Sequence, residues 1–346
     1  AWRARPRAPL RGRVALVTGG SRGLGFLIAR ELLREGARVA ICARDEERLH
    51  AAVVRLEPLG EIAPFACDVG DHVCVEDMVR AIARGFGGID IVVNNAATML
   101  VGPLETMDVR DFRKALDDGF WGMVHTTLAA LPFLRESRGR IANITSIGGK
   151  IPVPHLLPYC CAKFAAVGFS EGLAAELAGS GVSVTTVVPG VMRTGSPVNV
   201  IYRGRPEEEF AWFAAGDTLP FTSIRADRAA ARIVTAISRR ESEVTLGLQA
   251  RALRVLHGLA PDVVLTAMGV ANRLLPCAGV LPEQSVGSRL ESTAPGVVRR
   301  SLAQAALATN QRATSGADAD VGTKTGVARR RSRKRPIRTP TPTPTL

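Results

Sequence analysis

The sequence predicts an α/β fold in which helices cover both faces of a parallel sheet. Short apolar runs of strand length alternate with helical segments from residue 13 to residue 246. A glycine-rich segment, residues 18–25, joins the first apolar run to the first helix. This alternation is typical of a doubly wound parallel sheet, because a crossover helix connects each pair of parallel strands.

Seven strands are expected from apolar runs that end at glycine, proline or a polar residue. Their expected ranges are 14–17, 38–43, 62–67, 89–93, 140–145, 182–188 and 243–246. The connecting helices are expected over residues 26–35, 44–56, 71–86, 108–135, 158–178 and 227–239. Capping residues support these bounds, since Asp71 suits an N-cap and Pro158 suits the first helical turn.

Residues 191–224 interrupt the alternation with a mixture of proline, glycine, charged and aromatic residues. Ligands of open parallel sheets bind beyond the carboxyl ends of the strands. An irregular insert directly after the sixth strand is therefore expected to form a lid over a substrate. The alternative is a surface segment whose aromatic residues belong to the core. These residues are Tyr202, Phe210, Trp212, Phe213 and Phe221.

The segments outside the main domain, which spans residues 13–247, differ from it in composition. Residues 1–12 are rich in arginine and proline and are expected to be flexible. Residues 248–280 are expected to form a helical extension. Its apolar part, 248–276, would cap a binding site, form a dimer contact or touch a membrane surface. Residues 281–346 have the composition of a disordered basic tail.

The formal net charge of +13 is concentrated at the two ends of the chain. Residues 1–13 carry five arginines and no acidic residue, whereas residues 281–346 carry twelve basic and four acidic residues. The region between them has 28 basic and 28 acidic residues. A neutral folded region argues against specific nucleic-acid binding. The alternative is that the basic tail tethers the domain to nucleic acid or anionic lipid.

The six cysteines contain no C-x-x-C pair, and the five histidines are scattered without metal-ligand spacing. We therefore expect buried thiols in a reducing compartment, a cytoplasmic location and no metal site. A signal peptide is not expected, because the first apolar run leads into the glycine-rich segment. A membrane span is not expected either, because no apolar run reaches about 18 residues.

The glycine-rich segment has the spacing G-x-x-x-G-x-G at a strand-to-helix junction. A helix N-terminus presents free N–H groups and the positive end of the dipole, and both favour a phosphate. Gly19 allows a tight turn, Gly23 allows a phosphate to approach the backbone, and Gly25 allows the helix to pack closely. The alternative is a glycine-rich surface turn without a ligand.

A second group of residues, Ser146, Tyr159 and Lys163, suits proton transfer. Tyr159 and Lys163 are four residues apart on one face of the expected helix. A phenol has a pKa of about 10, and both a nearby ammonium and the first helical turn favour its phenolate. A serine hydroxyl can hold an oxygen on which charge changes. Carbonyl reduction and alcohol oxidation need these three groups, although a Tyr-x-x-x-Lys pair also occurs on exposed helix faces.

Together these motifs resemble the short-chain dehydrogenase/reductase family, in its common single-domain branch. The resemblance covers residues 11–247, and the motifs follow the family's order. They are residues 18–25, Asp68-Val69, residues 94–97, Ser146, Tyr159 with Lys163, and Pro189-Gly190 with Thr194. The resemblance implies a Rossmann-type sheet of seven parallel strands, a homo-oligomer, and hydride transfer between a nicotinamide cofactor and a carbonyl/alcohol substrate.

The resemblance also implies a role for each matching residue. Tyr159 is expected to be the acid/base, Lys163 to bind the nicotinamide ribose and lower the tyrosine pKa, and Ser146 to bind the substrate oxygen. The remaining residues are expected to bind the cofactor. They are Gly19, Ser21, Arg22, Gly23, Leu24 and Gly25 in the glycine loop, Asp68, Val69, Asn95 and Ala96 on the adenosine side, and Pro189, Gly190 and Thr194 at the carboxamide. A small apolar substrate is expected from the lid aromatics and the lack of further charged residues near the motifs.

The choice between NADP and NAD depends on the end of the second strand. A carboxylate there would bind the ribose hydroxyls of NAD and repel a 2′-phosphate. This chain has Arg44 at that position and Arg22 in the glycine loop, and two guanidinium groups can hold a phosphate. Asp45 opposes this assignment, but it is also the expected cap of the next helix. NADP is therefore favoured over NAD.

One position departs from the family pattern. The family has an asparagine in the helix before the fifth strand, where it holds a water in a proton relay, and here Gly119 takes its place. Asp117 and Asp118 could substitute, although a solvated helix face is the simpler interpretation. Gly119 motivates an alternative function, a catalytically weak dinucleotide-binding protein that acts as a sensor or scaffold.

Overall fold

The computed structural model describes residues 6–218, 223–279 and 283–311. A central sheet contains the seven predicted strands, and every neighbouring pair is parallel. The strands are β1 (Val14–Thr18), β2 (Arg38–Ala43), β3 (Ile62–Ala66), β4 (Ile91–Asn94), β5 (Arg140–Ile144), β6 (Ser183–Pro189) and β7 (Glu243–Leu246). Their spatial order is β7-β6-β5-β4-β1-β2-β3. The order reverses beside β1, and such a switch point creates a crevice at the carboxyl edge.

Helices cover both faces of this sheet. Those of the main domain are α1 (Gly23–Arg34), α2 (Glu46–Leu56), α3 (His72–Phe86), α4 (Val109–Leu116), α5 (Gly122–Glu136), α6 (Leu157–Glu176), α7 (Pro206–Thr218) and α8 (Ala226–Arg239). One apolar core joins α1, α2 and α8 to the sheet, and a second core joins α3, α5 and α6 to its other face. The predicted Rossmann-type, doubly wound architecture is confirmed.

The prediction of a single helix over residues 108–135 is wrong in detail. Asp108 caps α4 with its side chain, and a π-helical turn, Asp117–Trp121, then separates α4 from α5. A π turn adds one residue to the helical repeat and shifts which side chains face inward. Asp118 and Gly119 are buried as a result, whereas Asp117 is exposed.

The insert at residues 191–224 is more regular than the sequence suggested. Ile201–Gly204 pairs with Leu100–Val101 and with Glu283–Val286 in a separate three-stranded sheet, and α7 follows. Tyr202 and Phe210 are fully buried. These two aromatic residues form core, while Phe221 lies outside the described residues.

Both ends of the main domain are more ordered than expected. Residues 7–12 pack against the domain, since the Ala8 N–H donates to Ser238 O and Leu10 is buried. The expectation of flexibility is therefore wrong for this stretch.

The disorder expected from residue 281 is likewise wrong for residues 283–311. This stretch forms the third strand of the small sheet, the short helix α11 (Gly287–Leu290) and the helix α12 (Gly296–Ala308). Leu290, Ala294 and Leu302 are buried against the lid aromatics, and this burial offsets the entropy of ordering the chain. Residues 312–346 lie outside the described part of the chain. Between the main domain and α11, the helices α9 (Leu248–Leu259) and α10 (Pro261–Asn272) form the helical extension.

Within the three described ranges, none of the helices combines the length and apolar character that crossing a membrane requires.

Candidate active site

The expected site residues, with one exception, line a single cavity of about 720 Å³. The lining set is Gly19, Ser21, Arg22, Gly23, Leu24, Arg44, Asp68, Val69, Asn95, Ala96, Ser146, Tyr159, Lys163, Pro189, Gly190 and Thr194. The exception, Gly25, packs beneath the loop, where a Cβ atom would lie 2.3 Å from Gly19 O. This contact requires glycine at position 25 for helix–loop packing.

The glycine loop presents free backbone donors at the junction of β1 and α1. Gly19 and Gly23 have φ values of +63° and +61°, in the left-handed region that favours glycine. At the start of α1, the backbone N–H groups of Leu24 and Gly25 have no acceptor within the described chain. Free N–H groups at a helix N-terminus attract anions.

Asn95 holds the glycine loop against β4 rather than only lining the cavity. Its side-chain amide donates to Thr18 O and Gly19 O at 3.0 and 3.2 Å. The Thr18 hydroxyl in turn accepts from the backbone N–H groups of Asn95 and Ala96. These bonds fix the loop at the switch point of the sheet.

The structure brings Ser146, Tyr159 and Lys163 together at the carboxyl end of β5. The Ser146 hydroxyl accepts from Gly148 N at 3.1 Å and lies close enough to the Tyr159 phenol to lower its pKa. Lys163 Nζ lies 5.7 Å from the centre of the Tyr159 ring and donates to Ile144 O at 2.8 Å. Tyr159 stands at the start of α6, which places its hydroxyl beside the strand-terminal serine.

The tyrosine pKa departs from the expected direction. Burial of the phenol raises the pKa of Tyr159 to about 12, and the nearby Ser146 hydroxyl opposes this only in part. Burial also lowers the pKa of Lys163 to about 8. Desolvation disfavours the charged form of both groups.

The buried lysine predicts a pH-dependent stability. Between pH 8 and 10.5 the unfolded chain binds a proton at Lys163 that the folded chain has lost, so stability rises with pH in this window. We expect wild type to gain roughly 1–2 kcal/mol over Lys163→Met between pH 7 and pH 9.5. Urea unfolding of both proteins at several pH values measures the difference. A constant difference would mean that Lys163 stays charged in the folded protein.

Three arginines line the cavity near the carboxyl end of β2. Besides Arg22 and Arg44, the cavity is lined by Arg48, which sequence analysis missed. Partial burial and the charges of Arg48 and Arg44 lower the pKa of Arg22 to about 10. Arg48 lies in the first turn of α2, whereas Arg44 precedes the N-cap Asp45, so no helical spacing links the two arginines in the sequence. An anion would relieve the repulsion among these cations.

Asp118 belongs to the cavity wall, and its interpretation as part of a solvated helix face is wrong. It accepts a hydrogen bond from the Thr98 hydroxyl and lies 3.4 Å from the Arg44 guanidinium and 3.5 Å from Lys114 Nζ. Arg44 is also 3.8 Å from Asp68. At Gly119 a Cβ atom would make an ordinary 3.4 Å contact with Ala162.

The opposite end of the cavity is largely apolar. Trp212 and Phe213 of the lid join Val153 and Leu156 in its lining. Glu209 holds this wall in place, since its carboxylate accepts from Trp212 Nε1 at 2.7 Å and lies 2.8 Å from His155 Nδ1. The lid interpretation therefore applies to Trp212 and Phe213.

Two further lining residues were missed by sequence analysis. Asp217, at the end of α7, lies beside the backbone of Thr194 and Gly195, and burial raises its pKa to about 7. Its Oδ2 atom has no hydrogen-bond partner among the described residues. Gln311 reaches the cavity from the far end of the chain. Neither residue is adjacent in sequence to any recognised motif.

Comparisons with known proteins agree with this geometry. A family model described as short chain dehydrogenase matches residues 13–200. The protein named "Putative ketoacyl reductase" in Streptomyces coelicolor is 37% identical over 191 residues, which cover 54% of this chain and 73% of the relative. The protein named "Putative oxidoreductase SadH" in Mycobacterium tuberculosis is 32% identical over 274 residues, which cover 78% of this chain and 95% of the relative.

Solved structures show the same similarity. A short-chain dehydrogenase from Streptomyces avermitilis has a TM-score of 0.64 at 28% sequence identity, over 75% of this chain and 97% of that chain. The family model, over residues 13–200, matches more than half of the length of this chain.

Proposed function

The chain belongs to the short-chain dehydrogenase/reductase family, whose members bind NAD or NADP, and on this basis we propose that it is an NADP(H)-dependent carbonyl reductase or alcohol dehydrogenase. The observation that carries the proposal is the placement of Ser146, Tyr159 and Lys163 in the same cavity as the glycine loop. The bound dinucleotide would supply or accept the hydride.

Each residue of the trio then has a chemical task. Ser146 donates a hydrogen bond to the substrate oxygen and orients it. Tyr159 donates its phenolic proton to that oxygen during reduction and accepts a proton during alcohol oxidation. The Lys163 ammonium stabilises the phenolate left behind, and solvent returns the proton. A phenolate in a buried site needs this nearby cation, because desolvation otherwise favours the neutral phenol.

The proposed cofactor is NADP rather than NAD. Arg22, Arg44 and Arg48 would hold its 2′-phosphate, and no acidic side chain occupies the last position of β2. Leu24, with its free N–H, would meet the diphosphate, and Asp68 and Val69 would border the adenine. Pro189, Gly190 and Thr194 would border the carboxamide.

The proposed substrate is a small, largely apolar carbonyl compound or alcohol. Trp212, Phe213, Val153 and Leu156 support this, since they line the cavity end that contains Tyr159. Like many members of the family, the protein is proposed to act as a homo-oligomer. The cytoplasmic location stays a prediction from the cysteine pattern.

The proposal is tested by titrating the full chain with NADPH and NADH and then screening ketones and aldehydes for NADPH consumption. We expect tighter binding of NADPH and turnover of at least one apolar carbonyl compound. Binding of neither dinucleotide would refute the proposal. Binding without turnover across the screen would favour the alternative, a dinucleotide-binding sensor. Gly119, which replaces the asparagine of the family, suggests this alternative.

A further inference from the structure

The end of the described chain lies directly over the glycine loop. Residues 309–311, which we call the C-terminal strap, follow α12, and all three are at least 96% buried. The Gly23 N–H donates to Thr309 O at 2.6 Å, and Asn310 Nδ2 donates to Ser21 O at 2.7 Å. The strap is therefore bonded to the segment that is expected to receive a diphosphate.

The same three residues are bonded to the opposite wall of the cavity. The Thr309 hydroxyl and Gln311 Nε2 both donate to Thr194 O, at 2.6 and 3.2 Å. Gln311 Oε1 accepts from Asn199 Nδ2 at 2.8 Å and from the Arg22 guanidinium at 3.3 Å. The strap thus bridges the loop at the start of α1 and the loop after β6.

The strap is held in position by packing as well as by hydrogen bonds. Asn310 adopts φ +56°, a left-handed conformation that asparagine tolerates well, and its Oδ1 accepts from Arg55 at 2.9 Å. Ala306 of α12 fits against Gly195, where a Cβ atom would lie 2.6 Å from Ala306 N. Leu302, on the inner face of the same helix, is fully buried.

The strap forms a wall of the cavity and leaves the loop's donors available. Gln311 is among the residues that line the 720 Å³ cavity, and Arg44 and Tyr159 line the same cavity. Thr309 O takes only the Gly23 N–H, and the N–H groups of Leu24 and Gly25 have no acceptor within the described chain. A dinucleotide extended between the arginines and Tyr159 would therefore run beneath the strap.

From this arrangement we propose that the C-terminal strap retains the bound dinucleotide and that Gln311 is a further cofactor-binding residue, facing the diphosphate. This inference rests on the dinucleotide part of the proposed function. Because the strap crosses the cavity, its bonds to Thr194 must break each time the dinucleotide enters or leaves. Retention by the strap adds to the contacts that the family motifs provide.

The test is the rate of dinucleotide exchange in the full chain. NADPH dissociation is measured by stopped-flow fluorescence for wild type and Gln311→Ala. Loss of the Gln311 hydrogen bonds to Thr194, Asn199 and Arg22 is expected to speed dissociation by about 10- to 100-fold. Gln304→Ala is the matched control, because Gln304 is an exposed glutamine on α12. Its dissociation rate should equal that of wild type.

A second variant tests the contact with the diphosphate itself. Gln311→Glu keeps the shape of the side chain and adds a negative charge, which should weaken NADPH binding at least tenfold and less so at high salt. Thermal melting of each cofactor-free variant reports whether the fold is intact.

The outcomes separate the strap from the proposed function. If wild type binds neither dinucleotide, the proposed function fails. If wild type binds NADPH and both Gln311 variants bind and release it as wild type does, only the strap proposal fails. Tighter NADPH binding by Gln311→Ala would also overturn it, since the strap would then compete with the cofactor.

Discussion

Tyr159→Phe is expected to lower kcat for carbonyl reduction by about 10²- to 10⁴-fold while leaving the NADPH dissociation constant within about threefold of wild type. The substitution removes only the hydroxyl beside Ser146, and the ring keeps its apolar contacts with the lid cluster. Without that hydroxyl, no side chain delivers a proton to the substrate oxygen. Steady-state rates of NADPH consumption and a fluorescence titration provide the two measurements.

The chain offers a matched control for this substitution. Tyr202 is the only other tyrosine in the sequence, and its hydroxyl donates to Pro197 O in the buried lid core. Tyr202→Phe removes the same atom outside the cavity lining, so it should cost about 1 kcal/mol of stability and leave kcat nearly unchanged. Equal loss of activity in the two variants would point to damaged packing instead of a lost proton donor. A Tyr159→Phe protein with most of its activity would refute the role of Tyr159.

Local features of the sequence predict the central sheet and its loop well. Each strand of the sheet is a continuous apolar run. Such a run can be recognised in the sequence because both faces of the strand are buried. The positions of Gly19 and Gly23 in the first loop follow from the left-handed backbone that only glycine adopts freely. The trio of Ser146, Tyr159 and Lys163 follows from strand-end and helix-face positions.

Features that depend on long-range contacts could not be predicted in this way. The stretch from 283 to 311 has a composition typical of disorder, yet Leu302 and Ala306 become buried on the lid region. Gln311 meets Arg22 across 289 residues of sequence, and no local pattern reports such a contact. The raised pKa of Tyr159 could not be predicted either, because the sequence shows the neighbouring lysine but not the extent to which the phenol is buried.

Arg44→Asp is expected to reverse the preference between the two dinucleotides. Replacing this cation by a carboxylate at the end of β2 should repel the 2′-phosphate and offer acceptors to the ribose hydroxyls. We expect the NADPH dissociation constant to rise by about 10²-fold, equivalent to about 2.8 kcal/mol, and that of NADH to stay equal or fall. Side-by-side fluorescence titrations with both dinucleotides measure the reversal.

Two further variants separate the phosphate contact from general electrostatic effects. Arg38→Asp makes the same change of net charge at the opposite end of β2, where Arg38 pairs with Glu61. It should leave both dissociation constants nearly unchanged. Arg44→Ala removes the cation without adding a third carboxylate beside Asp68 and Asp118, so it should weaken NADPH binding less than Arg44→Asp does.

The pairing of Arg44 determines how these results are interpreted. Arg44 lies beside Asp118 and Asp68, and a 2′-phosphate would compete with both carboxylates for its guanidinium. Arg48 instead bonds to the neutral Asn199 amide and to Asp45. A 2′-phosphate at Arg48 would therefore compete with one carboxylate instead of two. If Arg44→Asp weakens NADPH and NADH equally, the carboxylates have disturbed the adenosine side and the assignment of NADP fails. If only NADPH binding weakens, and this weakening diminishes with added salt, the 2′-phosphate is held by charge at the end of β2.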